Sequence, residues 1–253
     1  MGEDLKRALV DRLKQVGAYE VRVADPRVGF KHAQKGKHPL DFWSAAKSVV
    51  VYAVPMSPEM NNTYIGPYSQ WDGDRNLGPV PDNLVSSEHA LDRLSRLFMC
   101  SVTLKGILFL QSEGYEARYT PMEVHLKLCA YEAGLGVYGR SGVLLHPALG
   151  NRMILGAIMT DALLEPDPRL ENFSPCENCD ICINACPARA YDPDKTYPDS
   201  WSKEKCMAKR AEIVKKGLFC HNCFASCPAG QLKDDDLFLK REAVSFYKPK
   251  SSL

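Results

Sequence analysis

The sequence predicts a mixed α/β (α+β) core domain followed by a small cysteine-rich module. Three observations lead there. Helical and strand periodicities alternate along the first 165 or so residues of this 253-residue chain. A β-branched run, Ser48 to Val54, reads as a buried central strand. Eight of the ten cysteines fall in the last third, in two runs.

The elements follow in order. Leu5, Ala8, Leu9, Leu13 and Val16 recur at helical spacing, and Gly17 supplies the stop. Tyr19 to Val23 alternates apolar and charged residues, as a half-buried strand does. Residues 55 to 83 have no period. Prolines, glycines and asparagines prevail there, with Tyr64, Tyr68 and Trp71 among them. A loop of that length reads either as an ordered cover over a ligand or as plain surface. From Asn83 to Ser112 the pattern is helical. Leu91, Leu94, Leu97, Phe98, Val102, Ile107, Leu108 and Leu110 form its apolar face, Gly106 is a candidate break and Gly114 a stop. Tyr115 to Tyr119 reads as a strand, and Met122 to Ala133 as a helix ending at Gly134. Val143 to Leu145 and Met153 to Thr160 read as further strands. Cys100 and Cys129 lie in apolar helical contexts and are expected to be buried structural thiols.

This organisation divides the chain into a core over 1–165, a cysteine module over 166–235 and a loose basic tail over 236–253. The net charge of +1 gives no push toward nucleic acid or membrane. No run of 18 apolar residues exists, so no membrane span is expected. Met1-Gly2-Glu3-Asp4 opens acidic with no apolar segment after it, which reads as a cytoplasmic protein without a signal peptide. Its thiols are then expected to be reduced.

The cysteines carry the chemistry. The first run is Cys176, Cys179, Cys182 and Cys186-Pro187. The second is Cys220, Cys223 and Cys227-Pro228, with Cys206 alone upstream. Intervals of two, two and three residues followed by Pro are the bacterial ferredoxin spacing, in which the fourth Cys serves a neighbouring cluster. That crossover assigns Cys176, Cys179, Cys182 and Cys227 to one 4Fe–4S cluster. Cys220, Cys223 and Cys186 hold three corners of a second, and Cys206 is the thiol left to close it. Zinc also takes CxxC pairs, but it has no use for a third Cys at the next interval. Two 4Fe–4S clusters are expected, in an electron-handling protein.

The second informative stretch is Ala133-Gly134-Leu135-Gly136-Val137-Tyr138-Gly139-Arg140-Ser141-Gly142. Its G-x-G-x-x-G spacing matches a dinucleotide fingerprint. A helix precedes it, however, where that motif needs a strand, so a nicotinamide site is rejected. Two readings stay open: a helix cap followed by tight turns, or a backbone brought close to a ligand.

Here a resemblance adds to the residues. Ala133 to Gly142, then Gly150-Asn151-Arg152, Leu155-Gly156-Ala157 and Thr160-Asp161, resemble the central region of the epoxyqueuosine reductases. The cobalamin-dependent reductive dehalogenases have a similar region. In both families it precedes a two-cluster ferredoxin module whose motifs match Cys176 to Cys186 and Cys206 to Cys227. Ala45-Ala46-Lys47-Ser48-Val49-Val50 also resembles the epoxyqueuosine reductases. The resemblance implies a nitroreductase-like core that cradles a corrinoid, cobalamin. Gly134, Leu135, Gly136, Gly139, Arg140 and Gly142 would be the cofactor-binding residues. It also implies electrons from a ferredoxin or flavodoxin, passed through the clusters to cobalt.

The epoxyqueuosine reductases place a proton-donating carboxylate just before the helix that leads to the glycines. Arg118-Tyr119-Thr120-Pro121-Met122 holds none. Tyr119 and His125 are therefore the candidate donors, with Arg118 and Arg140 as cations that could tune a tyrosine. Epoxyqueuosine reduction itself and a tRNA partner are not expected, because no basic face is evident. A small or nucleoside-like substrate is. The alternatives are a non-catalytic electron carrier or corrinoid-reactivating protein, and a flavin-dependent reductase, since nitroreductase-like domains more generally hold flavin.

Overall fold

The structure, a computed structural model, describes residues 2–56, 87–121, 123–195, 197–215, 220 and 222–230, with backbone alone at 87–96, 214 and 230. Tyr64, Tyr68, Trp71 and the basic tail lie outside the described residues.

Helix α1 (Gly2–Gln15) turns Leu9 and Leu13 inward, and Gly17 follows it with φ 110°. Strand β1 (Glu20–Ala24), the short helix α2 (Pro39–Phe42) and strand β2 (Ser48–Pro55) come next. Helix α3 (Ser87–Ser112) leads to β3 (Ala117–Tyr119), and helix α4 (Leu126–Glu132) leads to the glycine segment. Strands β4 (Val137–Tyr138) and β5 (Leu144–Leu145) pair as a ribbon, and β6 (Met153–Thr160) returns to the main sheet.

The main sheet has the order β1-β2-β6-β3, and every pairing in it is antiparallel. Val51 sits opposite Ala157 at its centre. The core is thus of the α+β kind. Alternating helices and strands do not fix strand direction. The link from β1 to β2 carries only the four-residue α2, where a parallel return needs a crossover element. As the sequence predicts, β2 is central and buried on both faces. Val50, Tyr52 and Val54 pack with α1 and α3, while Val49, Val51 and Ala53 pack with α4. Burying each such valine contributes about 1.5–3 kcal/mol.

Three expectations change. Gly106 does not divide α3. A Cβ there would collide with Ile158 Cδ1 and lie 2.9 Å from Leu13 Cδ2, so the glycine lets the helix seat close against sheet and α1. Cys100 is exposed, as are Leu97, Phe98 and Leu108, whereas Val102 and Leu110 are buried. The helix is apolar on more than one side, and only one side meets the sheet. The helix expected from Met122 starts at Leu126, because Val124 N–H donates to Pro121 O at 3.1 Å and forms a turn first. Cys129 is buried as expected, and burial pushes its thiol up to about 12. Among the described residues, no helix is long and apolar enough to cross a membrane.

Candidate metal centre and adjoining cleft

The chain leaves β6 through an irregular segment that is tied back to the core. Asp167 accepts from Val23 N at 2.8 Å and pairs with Lys6 at 2.9 Å. The buried Glu132, at the end of α4, accepts from Arg169 Nε at 2.7 Å and from Phe30 N at 3.1 Å. A buried carboxylate needs such partners. The cysteine module then builds short helices α5 (Ile181–Asn184), α6 (Lys203–Val214), α7 (Asn222–Ala225) and a 3₁₀ turn (Pro228–Gly230). Ser202 caps α6, its hydroxyl accepting from Lys205 N at 3.3 Å.

Cys176, Cys179, Cys182 and Cys227 border one cavity, and Gly139 and Leu145 of the core form part of its wall. A Cβ on Gly139 would stand 3.3 Å from Cys176 Sγ, so the glycine backbone approaches the thiol closely. Burial raises the Cys182 thiol, a hydrogen bond with Ser141 opposes the rise, and Cys176 and Cys227 add to it.

Of the other four thiols, Cys223 lies within electrostatic reach of Cys220, Cys186 and Cys206. Burial raises Cys223, its hydrogen bond with Tyr191 opposes, and Cys220 and Cys186 raise it further. Burial also raises Cys206; Arg210 and a hydrogen bond with Trp201 oppose, and Cys223 and Cys186 reinforce. Lys127 lies close enough to Cys223 to feel its charge and donates to Gly142 O at 3.1 Å. Among the described residues, no three His, Cys, Asp or Glu side chains converge as a single-ion site.

The glycine segment serves two places. Gly139 and Arg140 border both the thiol cavity and an open cleft of about 440 Å³, whose walls include Tyr138, Phe173, Cys176 and Tyr197. Tyr138 stacks on Tyr197 with ring centres 5.0 Å apart, and Arg140 pairs with Asp180 and donates to Pro193 O. Gly134 and the buried Leu135 instead border a separate cleft beside His146. The space a side chain would need at Gly134, Gly136 and Gly142 is filled by Pro168 O, Leu145 O and the Tyr197 ring.

Tyr119 and His125 border neither the thiol cavity nor the open cleft. Tyr119 is exposed at the end of β3, raised by burial of its hydroxyl and by Cys100 and Glu123. Arg118 does not serve it: the guanidinium lies 4.4 Å from the Trp43 ring centre and pairs with Glu116 at 3.1 Å. His125 precedes α4, and burial, Lys37 and Lys127 lower its pKa. Next to Tyr119, the Thr120 hydroxyl is buried and has no hydrogen-bond partner among the described residues. Sequence reasoning missed Ser141, Tyr191 and Trp201 as partners of the cysteines. Only their lying within the glycine segment and between Cys186 and Cys206 hinted at them.

No family model matches the chain. Over 149 residues it is 32% identical to a tetrachloroethene reductive dehalogenase of Desulfitobacterium hafniense, a match covering 51% of this chain and 26% of that one. Over 130 residues it is 28% identical to the epoxyqueuosine reductase of Staphylococcus aureus, covering 46% and 33%. The chain thus spans about a quarter to a third of the length of these curated relatives. Among solved structures, a reductive dehalogenase described with a mechanism for B12-dependent dehalogenation superposes with a TM-score of 0.69 at 20% identity, covering 96% of this chain and 34% of that one. An epoxyqueuosine reductase bound to an epoxyqueuosine-modified tRNA stem loop superposes at 0.60 and 18%, covering 90% and 65%. In sequence and in fold, then, this chain is similar to the epoxyqueuosine reductases and the reductive dehalogenases.

Proposed function

We propose that the chain is an iron–sulfur oxidoreductase that passes electrons through two 4Fe–4S clusters to a corrinoid at its core domain. Cys176, Cys179, Cys182 and Cys227 would hold the first cluster, and Cys186, Cys206, Cys220 and Cys223 the second. The observation that carries this reading is the single cavity bordered by the first four thiols. Four thiolates from two runs around one space suit a cubane.

The open cleft beside Cys176 is the candidate seat for the corrinoid's edge, with Gly139 and Arg140 on its wall. A bound corrinoid would supply a cobalt centre of changeable oxidation state. The Tyr138–Tyr197 stack flanks the cleft, and the pair with Asp180 holds Arg140 on its wall. Tyr119 and His125 remain the proposed proton donors. Reduction of a small or nucleoside-like substrate follows from the relatives, one acting on tetrachloroethene and the other on epoxyqueuosine. We take a ferredoxin or flavodoxin as the electron source and the cytoplasm as the setting. One epoxyqueuosine reductase was solved with a tRNA stem loop, so a tRNA-borne nucleoside belongs among the substrates to try.

A second reading, a carrier without corrinoid, is favoured by one observation. At Gly134, Gly136 and Gly142 the chain itself fills the space that glycine leaves. Anaerobic titration of the iron-reconstituted protein with cobalamin, followed by absorption and electron paramagnetic resonance spectra, separates the two. A bound species with its lower axial base released supports the reductase. Full iron and sulfide loading with no binding supports the carrier.

A further inference from the structure

Helix α6 carries the half-buried Cys206, and its charges are uneven. Lys203, Lys205, Lys209 and Arg210 stand against the carboxylates Glu204 and Glu212, so this one helix is more positive than the whole chain at +1. Lys203, Lys209 and Arg210 lie three or four positions from Cys206, on its side of the helix. Glu204, two positions away, and Glu212, six away, turn to other sides. Lys209 pairs with Glu212 at 2.6 Å. Lys203 and Lys205 are exposed, and neither forms an ion pair among the described residues. Lys205 also feels Asp192, which Lys195 holds at 3.1 Å. Both lysines stand in the first turn of α6, where the positive end of the helix dipole disfavours cations. Such a local conflict marks a place kept for function. Met207, next to Cys206, is 46% exposed, and Arg210 Nη1 lies 3.9 Å from its sulfur. Exposed methionine beside arginine suits a protein interface. The cleft beside Cys176 differs: its cations Arg140 and Lys195 are both held by carboxylates, and Glu177 and Asp194 line it too.

We infer that the start of α6, with Lys203, Lys205 and Met207 at its surface, is the docking face for a small acidic electron-carrier protein of the ferredoxin class. This rests on the cluster assignment proposed above. A carrier whose carboxylates ring its own redox centre is drawn to this end of the molecule and not to the cleft beside Cys176. Docked there, it meets the site of Cys186, Cys206, Cys220 and Cys223 through the helix that bears Cys206. One electron leaves the reduced carrier, which is oxidised, and reduces the cluster at that site. No bond forms or breaks, and the lysines keep their protons. A nucleic acid is the weaker occupant, because the patch is small, carries two carboxylates and centres on a thiol and a methionine rather than on a long basic stripe.

The test is stopped-flow reduction of the reconstituted full chain by a reduced acidic 2Fe–2S ferredoxin, on the wild type, the double variant Lys203→Glu/Lys205→Glu, and Lys14→Glu on the distant helix α1. Glutamate suits the first turn of a helix, so the double variant keeps α6. Iron and sulfide are measured first on each. The wild-type rate should fall as salt rises from about 0.01 to about 0.15 M. The double variant should be slower by about tenfold or more at low salt, with a flatter salt dependence. Lys14→Glu should match the wild type. Reduced methyl viologen, a small cation that needs no docking face, should reduce all three without loss of rate. Fully loaded double variant with an unchanged ferredoxin rate overturns the inference. So does an equal loss in Lys14→Glu, which would make net charge the cause, or slowing with methyl viologen, which would place the effect on the cluster. Tighter binding of a tRNA stem loop than of ferredoxin, lost in the double variant, overturns the choice of partner. A wild-type chain that takes up no iron overturns the assignment beneath, and the iron content tells that failure from the others.

Discussion

The side-chain amide of Asn151 donates to the backbone carbonyl of Phe224 at 2.8 Å. The bond joins the approach to β6 to the short helix α7, which carries Cys223, 73 residues on. Asn151 is 2% exposed, so its bond is shielded from water. Asn151→Ala should cost about 0.5–1.5 kcal/mol, the net worth of one hydrogen bond, since Phe224 O keeps the Cys227 N–H at 3.2 Å. Chemical denaturation measures that, and faster iron loss to a chelator should accompany it.

Ligand substitutions have a stoichiometric readout. Cys227→Ser should lower iron from about eight to about four per chain, because it opens the first site alone, and Cys206→Ser should do the same at the second. Iron and sulfide analysis after anaerobic reconstitution checks both. An unchanged content in either variant contradicts the assignment.

Gly106 predicts a size limit. In Gly106→Ala, the gain of helix propensity, about 1 kcal/mol, opposes contact with the flexible tips of Ile158 and Leu13. The net change should be within about 1 kcal/mol. Gly106→Leu has no such room and should lose about 1–3 kcal/mol or more. Thermal unfolding of the two variants should separate them clearly.

Glu20 predicts an acid limb in the stability profile. His146 Nδ1 accepts from Ala148 N and Leu149 N, so the ring proton sits on Nε2 and is given to Glu20 at 2.9 Å. That bond, with Arg22 beside it, lowers the Glu20 carboxyl from 4.5 to about 2. A depressed carboxyl stabilises the fold above its unfolded pKa. The contribution should fade as pH falls from about 4.5 to about 2. Glu20→Gln should cost about 1–2 kcal/mol at pH 7 and flatten that limb, measured by denaturation across pH.

Local patterns were legible in the sequence, and long-range ones were not. The β-branched run at Val49 to Val51 marked the central strand, and the cysteine intervals grouped Cys176, Cys179 and Cys182 around one space. Strand direction escaped, because it depends on connections rather than periodicity. Cys100 was misread because spacing shows that a helix has apolar residues, not which of them meet the sheet. Tyr191 and Trp201 left no mark, since only the folded hairpin pairs them across its two arms. The glycine segment was ambiguous for the same reason. Whether a glycine faces a ligand or a neighbouring backbone depends on what packs there, and at Gly134 that is Pro168 O.

The cavity shared by Cys176, Cys179, Cys182 and Cys227 also bears on how the protein is made. Cys227 follows Cys182 by 45 residues. At about 5–20 residues per second, a ribosome needs roughly 2–9 s to deliver it after the first three thiols. During that interval the nascent chain presents an incomplete ring of sulfurs, open to oxidants and stray metal ions. Under the proposed assignment the second site waits as well, since Cys220 and Cys223 also come late. Neither site can then be filled before the second cysteine run has been made.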